Sequence, residues 1–273
     1  MIIVKPKGGL GNRLRVIHSV LSIQLVEPIP IHIIWDRNRS LNCKFQDLFE
    51  NNHAFTFENS MPDFVNRILK KIKFEYFFKS ANRNSYEREL FDNEIIKLRN
   101  RGYNFELLAK HRSVYIETCE WFYTHKSGQF LYPQARIKIK NRVDSIAKEF
   151  SDNTVGVHIR MGDHTLAKKH SPLRLFTKFT DEFLQKFNNV KIFLSTDSPD
   201  VEKFFIANYS DHIITQTGKL FGRESSSAVV DSFVDMLCLS RTNKIYGSSH
   251  STFSGIAAEI GGIEKVTLKV KDL

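Results

Sequence analysis

The sequence predicts an α/β fold built on parallel sheets, and three observations carry that prediction. A short apolar strand, Ile2 to Val4, runs into a Gly8-Gly9-Leu10-Gly11 loop and then a helical pattern. After Ser151 apolar strand-length runs alternate regularly with helix-length amphipathic stretches. Repeats of fixed period and low-complexity linkers are both missing from the sequence. Strands that alternate with helices of this length belong to parallel sheets covered on both faces.

Taken in order, the opening strand and glycine loop lead into Leu14, Ile17, Leu21 and Leu25, at helical spacings of three and four. Pro28 and Pro30 close that helix, and Ile31 to Trp35 is the next strand, so the start has the form of a βαβ unit. The middle, Asn51 to Arg112, is rich in Phe, Asn and Lys; helices are expected near Asp63 to Ile72 and Ser85 to Arg99. A strand follows at Ser113–Thr118, then a basic amphipathic helix over Pro133–Phe150. Further strands are expected at Val155–Arg160, Val190–Thr196, His212–Thr217, Lys244–Tyr246 and Lys265–Val270. Helices are expected at Leu173–Phe187, Pro199–Asn208, Ser226–Arg241 and Thr252–Ile260. A boundary near Ser151 gives two lobes, residues 1–150 and 151–273, with ligands expected at the carboxyl ends of the strands.

Composition narrows the function classes. The 273 residues are 41% hydrophobic and 26% charged, an ordinary globular profile. No apolar run approaches the roughly 18–20 residues that span a bilayer. Met1-Ile2-Ile3-Val4-Lys5 has no signal-peptide pattern, so a cytoplasmic protein is expected, with peripheral membrane contact left open. Cys43, Cys119 and Cys238 are odd in number and lack a CxxC pair, which argues for reduced thiols. No HExxH or His/Cys cluster is present, and no metal site is expected. A net charge of +10 selects anionic partners. Nucleotide diphosphate, acidic glycan, membrane surface and nucleic acid all qualify on charge. Arg67 to Lys79 mixes basic and apolar residues and could lie on an anionic lipid or glycan, or be a helix with Ile68, Leu69, Ile72 and Tyr76 as its buried stripe and its lysines solvated.

Four constellations carry chemistry. Lys7-Gly8-Gly9-Leu10-Gly11-Asn12-Arg13 places glycines and a helix N-terminus after a strand, which suits an anion or simply a tight turn. Leu14 stands where a dinucleotide fingerprint has its third glycine. In Val155-Gly156-Val157-His158-Ile159-Arg160-Met161-Gly162-Asp163-His164, alternation puts Gly156, His158 and Arg160 on one face of a strand. An arginine at the open end of a buried strand can fork two oxygens of a diphosphate, or pair structurally with a carboxylate such as Asp163. In Leu194-Ser195-Thr196-Asp197-Ser198-Pro199, Asp197 could contact a ribose or nucleobase, or Asp197 or Ser198 could cap the helix opened by Pro199. Asp231 and Asp235 lie one helical turn apart on the same face, which could simply be a solvated one. The Ser/Thr cluster from Ser248 to Ser254 offers hydroxyls to phosphate, or capping by Ser251 or Thr252.

The ordered set GGLGNRLR, VGVHIRMGDH, FLSTDS and DMLCLSRTNKIYGSSHSTFS resembles the fucosyltransferase superfamily of nodulation, α-1,6- and protein O-fucosyltransferases, with α-1,2-fucosyltransferases more loosely similar. The resemblance runs from about Gly8 to Ser254 and is strongest after Val155. It implies a GT-B-like fold, two Rossmann-type lobes with a cleft between them, the first for acceptor and the second for donor. It also implies a metal-independent, inverting transfer from GDP-fucose, the donor substrate, to a glycan or glycoconjugate, without a cofactor and without nucleic acid as partner; a similar site could take another GDP-sugar. On that resemblance Arg160 stabilises the leaving diphosphate, and Asp163 and His164 are candidates for the general base. His158, Asp197, Asp235, Ser251 and Thr252 would line the donor, and Gly9, Gly11 and Asn12 would form the first-lobe loop. One departure stands out. The α-1,6 group has an acidic residue eight positions after the arginine, where this chain has Lys168. A nicotinamide dehydrogenase would explain only the first loop, and a nucleic-acid-binding protein only the charge.

Overall fold

The computed structural model describes residues 1–51, 53–60, 86–162, 165–187 and 189–270. They divide into two α/β units, Met1–Arg136 with Arg223–Val229, and Ile137–Gly222 with Val230–Leu273. The helix Ile137–Ala147 belongs to the second unit, held there by Arg142 on Asp231 at 2.6 Å and by Asp144 on Arg241 at 2.5 Å. The basic stretch Arg67–Lys79 and the helix expected at Asp63–Ile72 lie outside the described residues.

In the first unit, β1 (Ile2–Pro6), β2 (Ile31–Trp35), β3 (Thr56–Asn59), β4 (Arg88–Phe91) and β5 (Val114–Thr118) form a parallel sheet in the order β3-β2-β1-β5-β4. The three central strands alternate buried and half-buried residues, so one face of each meets the core. Helix α1 (Leu10–Val26) follows β1 at once. Its core stripe differs from the expected one: Leu14 and Ile17 are fully buried, but Leu25 is 55% exposed. Val16, Val20 and Ile23 offer an equally good helical stripe, and they take the core side. Helix α2 (Phe45–Leu48) is a single turn.

The helix expected at Ser85–Arg99 starts later. Arg88–Phe91 is a strand whose backbone pairs with Val114–Glu117, leaving only Leu90 of the four buried. Helix α3 (Asp92–Asn100) then begins with Asp92 and Glu94 in its first turn, where the helix dipole favours acids.

The second unit contains α4 (Ile137–Ala147), β6 (Thr154–Ile159), α5 (Thr165–His170), α6 (Leu173–Lys186), β7 (Lys191–Thr196) and α7 (Pro199–Tyr209), in that order. It continues through β8 (Ile213–Ile214), α8 (Ser226–Leu239), β9 (Lys244–Ser248), α9 (Thr252–Gly261) and β10 (Glu264–Leu268). Its parallel sheet has the order β10-β9-β6-β7-β8. All six residues of β6 are buried. Val155, Val157 and Ile159 pack with Phe176 of α6 and with Val201 and Phe205 of α7. Each such fully buried side chain contributes roughly 1.5–3 kcal/mol. Gly156, on the opposite face, sits so close to α8 that a Cβ there would lie 2.8 Å from Leu239 and 2.9 Å from Thr242. The strand expected at His212–Thr217 shrinks to two residues, because Gln216 leaves the sheet to hydrogen-bond Asp231 and Asp235.

In each sheet the first strand is central, and the chain builds out to one edge before it crosses back to build the other. The carboxyl ends of β1 and β5, and of β6 and β9, are therefore switch points, where α/β sheets open a crevice. Among the described residues no helix is long and apolar enough to cross a membrane.

Candidate functional site

Arg160 follows the last residue of β6, at the second sheet's switch point. Its backbone N–H donates to Ser248 Oγ at the end of β9, 2.9 Å away, so the two carboxyl ends are stitched together. Its guanidinium Nη1 lies 2.9 Å from Asp197 Oδ2, and both side chains are about one-fifth exposed, at 17% and 22%. The other oxygen of Asp197 accepts the backbone N–H groups of Met161 at 2.7 Å and Gly162 at 2.9 Å. One carboxylate thus fixes both the arginine and the loop after it. Gly162 is needed for this approach, since a Cβ there would meet Asp197 Oδ2 at 2.7 Å. Capping falls to the next residue: Ser198 accepts from Val201 N–H at the start of α7, with Pro199 in its first turn.

The Ser/Thr cluster leads into α9. Ser251 occupies its N-cap position but its side chain makes no capping hydrogen bond, and no acid stands in the first turn. The first N–H groups of α9 are therefore not taken up by a Ser251 side-chain cap. His250, just before, is held in the left-handed region at φ 55°, a conformation non-glycine residues adopt at some cost.

His158 is 4% exposed and stacks on Phe253 of α9 with ring centroids 5.0 Å apart. Burial, reinforced by the nearby cations Lys265, Arg160 and Lys219, pushes its pKa down to about 3. It is a neutral imidazole, and its Nδ1 is buried without a hydrogen-bond partner among the described residues.

Asp235 faces inward. It accepts from Ser195 Oγ, Gln216 Nε2 and Lys219 Nζ, each at 3.1 Å. Lys219, with its side chain only 3% exposed, also pairs with Glu202 at 2.6 Å. Burial works against charge on Lys219, but Asp235 and Glu202 outweigh it and hold the ammonium above its ordinary pKa. Asp231 accepts from Arg142 and from the backbone N–H of Leu220 at 2.7 Å. Both aspartates of α8 are thus committed to a buried polar network, and neither belongs to a solvated face. Asp163 and His164 lie outside the described residues, and Lys168 is exposed on α5.

In the first unit, Gly8 has φ 81°, and a Cβ there would strike Asn12 at 2.7 Å. Gly9 is the N-cap of α1 and makes no side-chain cap, while Gly11 is buried in the first turn. Asn12 Oδ1 is buried without a partner among the described residues. The loop is held from behind by Arg13, fully buried, which donates to Gly8 O at 2.9 Å and Asp36 O at 2.5 Å with its guanidinium over Trp35. Burial lowers its pKa to about 10, still charged at neutral pH.

Sequence reasoning missed Arg13, Lys219 and Asp92. Asp92 ties Lys7 (2.6 Å) to Thr118 Oγ1 (2.7 Å) and Cys119 N–H (2.8 Å), which joins the glycine loop to the end of β5. A signal did exist for Arg13, as a cation inside the motif GNRLR, two positions after Gly11. Lys219 and Asp92 carry none, because their partners are distant in sequence. Among the described residues no three His, Cys, Asp or Glu side chains gather as a metal site.

No known protein-family profile matches the chain, and no curated protein matches it in sequence. Solved structures do match in fold. A NodZ α-1,6-fucosyltransferase co-crystallised with GDP is 18% identical, with 94% of this chain and 91% of that one covered and a TM-score of 0.58. Fucosyltransferase NodZ from Bradyrhizobium as the selenomethionine protein gives 18% identity, coverage of 94% and 90%, and a TM-score of 0.59. POFUT1 in complex with GDP-fucose is 9% identical, with coverage of 98% and 97% and a TM-score of 0.54. Two parallel-sheet units in one chain, matched over nearly its whole length, give this protein the GT-B-type fold of these fucosyltransferases.

Proposed function

We propose that the chain is an inverting glycosyltransferase that moves L-fucose from GDP-β-L-fucose to a hydroxyl of a glycan or glycoconjugate. The observation that carries this reading is the convergence of Arg160, Ser248 and the uncapped start of α9 at one switch point. Fold likeness to enzymes solved with GDP and GDP-fucose supports the choice of donor.

On this reading the acceptor oxygen attacks the anomeric carbon from the face opposite GDP, and the C1–O bond to the diphosphate breaks. Negative charge grows on the departing β-phosphate. Arg160, aimed by Asp197, offsets it, helped by the N–H groups of α9 and the hydroxyls of Ser251 and Thr252. A fixed guanidinium and helix dipole supply positive charge without a metal ion, so the transfer is metal-independent. His158 stays neutral and adds an unpartnered ring nitrogen rather than a charge. The acceptor proton leaves to a base that Asp163 or His164 would supply.

Incubation with a panel of GDP- and UDP-sugars tests the proposal. Hydrolysis or transfer with GDP-fucose alone is the expected result, together with a rise in Tm on adding GDP. Turnover of a UDP-sugar, or a Tm unmoved by GDP, overturns it.

A further inference from the structure

The first unit carries a cavity of about 240 Å³ that the reaction chemistry leaves unused, lined in part by Arg99, Tyr103, Asn104, Phe105, Trp121 and Phe122. Phe105 and Phe122, each 3% exposed, form its floor with ring centroids 5.3 Å apart. Trp121 is different: 40% of it faces solvent.

That exposed indole is held firmly. Its Nε1–H donates to Thr124 Oγ1 at 3.0 Å, and its carbonyl accepts from Arg99 Nη1 at 2.6 Å. The Arg99 guanidinium lies 5.7 Å from the ring centroid, within cation–π range. Thr124 is itself fixed by buried His18, 2.9 Å away. His18 Nδ1 accepts Leu131 N–H, so its Nε2 carries the proton given to Thr124. A large apolar ring pinned by hydrogen bonds while open to water is a preorganised contact surface.

Polar residues line the same cavity: Tyr103, whose hydroxyl accepts from Arg88 at 2.7 Å, Asn104 and Arg99. An aromatic face beside a guanidinium, an amide and a phenol suits a pyranose, whose C–H face is apolar and whose rim is hydroxylated. Sites for drug-sized ligands run to roughly 300–1,000 Å³, so this smaller cavity suits one sugar ring and not a nucleotide. Its location agrees. Residues 119–124 follow the carboxyl end of β5, and Glu120 bridges Arg99 at 3.4 Å to Arg15 of α1 at 3.7 Å, the helix that the glycine loop opens.

We infer that this cavity binds a pyranose ring of the acceptor glycan, stacked on Trp121 and hydrogen-bonded by Arg99. The inference rests on the glycosyltransferase reading for the word acceptor, and on the cavity alone for sugar binding.

The chain contains two tryptophans, and Trp35 is fully buried, so acrylamide quenching reports mainly on Trp121. Wild-type protein is titrated with a panel of neutral hexosides, deoxyhexosides, N-acetylhexosaminides and uronides, with guanosine as the control ligand. The expected result is that at least one saccharide shields Trp121 while guanosine does not. On a glycan array Trp121→Ala then loses about tenfold or more in affinity, as removal of one stacking partner does, and Trp121→Phe keeps most of it. An unchanged Tm shows that both variants are folded. Shielding by guanosine alone, no shielding by any saccharide, or equal binding by Trp121→Ala overturns the inference. Donor hydrolysis is assayed in parallel. If it is absent while sugars still shield Trp121, the transferase reading fails and the sugar site stands; if it is present and Trp121→Ala leaves acceptor KM unchanged, the acceptor assignment fails.

Discussion

The substitution Asp197→Asn separates two roles that the same carboxylate could have. In the structure its Oδ2 is 2.9 Å from Arg160 and its Oδ1 takes two backbone N–H groups, from Met161 and Gly162. An amide at that position can keep its one oxygen for those N–H groups, but it then turns an NH₂ donor toward the guanidinium in place of a charged acceptor. A hydrogen bond involving charge is worth about 1.5–3 kcal/mol, and Asp197 is only 22% exposed, so solvent compensates for part of that loss. The net cost to folding is therefore about 1–2 kcal/mol, a few degrees of Tm for a chain this size. The effect on transfer is larger. An arginine released from its partner no longer meets the leaving phosphate at a fixed place, and kcat is expected to fall about 10–100-fold. The assay compares donor KM, kcat and the ratio of Kd for GDP to that for inosine diphosphate. If Asp197 acts through Arg160, kcat falls and the GDP preference over inosine diphosphate stays. Loss of that preference with kcat intact would refute the positioning argument and make Asp197 a base-reading residue.

Three further outcomes follow from the same geometry. Arg160→Lys is expected to be nearly as inactive as Arg160→Ala, with transfer down by roughly 10²-fold or more and Tm lowered by no more than the few degrees that loss of the Asp197 pair costs, since the amine keeps charge but loses the planar fork; near-normal turnover by either variant removes Arg160 from the mechanism. Dialysis against EDTA should leave activity unchanged, and a loss restored by Mg²⁺ or Mn²⁺ would count against the charge assignment. Acidification should destabilise the fold. His18 and His158 are held neutral by burial, with pKa values lowered to about 4 and about 3, against about 6.5 in the unfolded chain. The unfolded state binds more protons below pH 6.5, so stability is full above that pH and is lost as pH falls toward those values. From pH 7 to pH 5 each imidazole costs about 2 kcal/mol, which urea midpoints of the wild type and of His18→Gln would reveal.

Much of this architecture is legible in the residues because parallel strands buried on both faces read as short apolar runs. Ile31–Trp35 and the helix from Leu173 match the structure at or within a residue of their ends. Alternation along β6 also places Gly156 and His158 opposite Val155, Val157 and Ile159, as the packing has it. What local pattern cannot supply is partner choice. Arg160 meets Asp197, thirty-seven positions on, because β7 lies beside β6. Asp231 and Asp235 share a helix face, yet that face is turned inward by Lys219 and Arg142. Strand β4 lies within the span whose sequence predicts a helix, because four residues alone do not specify a strand and the ladder with Val114–Glu117 supplies it.

The strand order has a consequence for how the chain is made. Central strand β6 pairs with β7 across a short crossover, but its other edge waits for β9, and the bond from Arg160 to Ser248 spans 88 positions. During synthesis the most buried strand of the second unit therefore leaves the ribosome long before one of its neighbours exists. Until β9 arrives, Val155, Val157 and Ile159 sit on a strand with an open edge, the kind of surface that recruits other chains. Non-local pairing of this sort folds slowly. Overexpressed protein should accordingly be lost to aggregation more readily when elongation stalls between residues 160 and 244, and slower initiation or lower temperature should raise the soluble yield without any change in sequence.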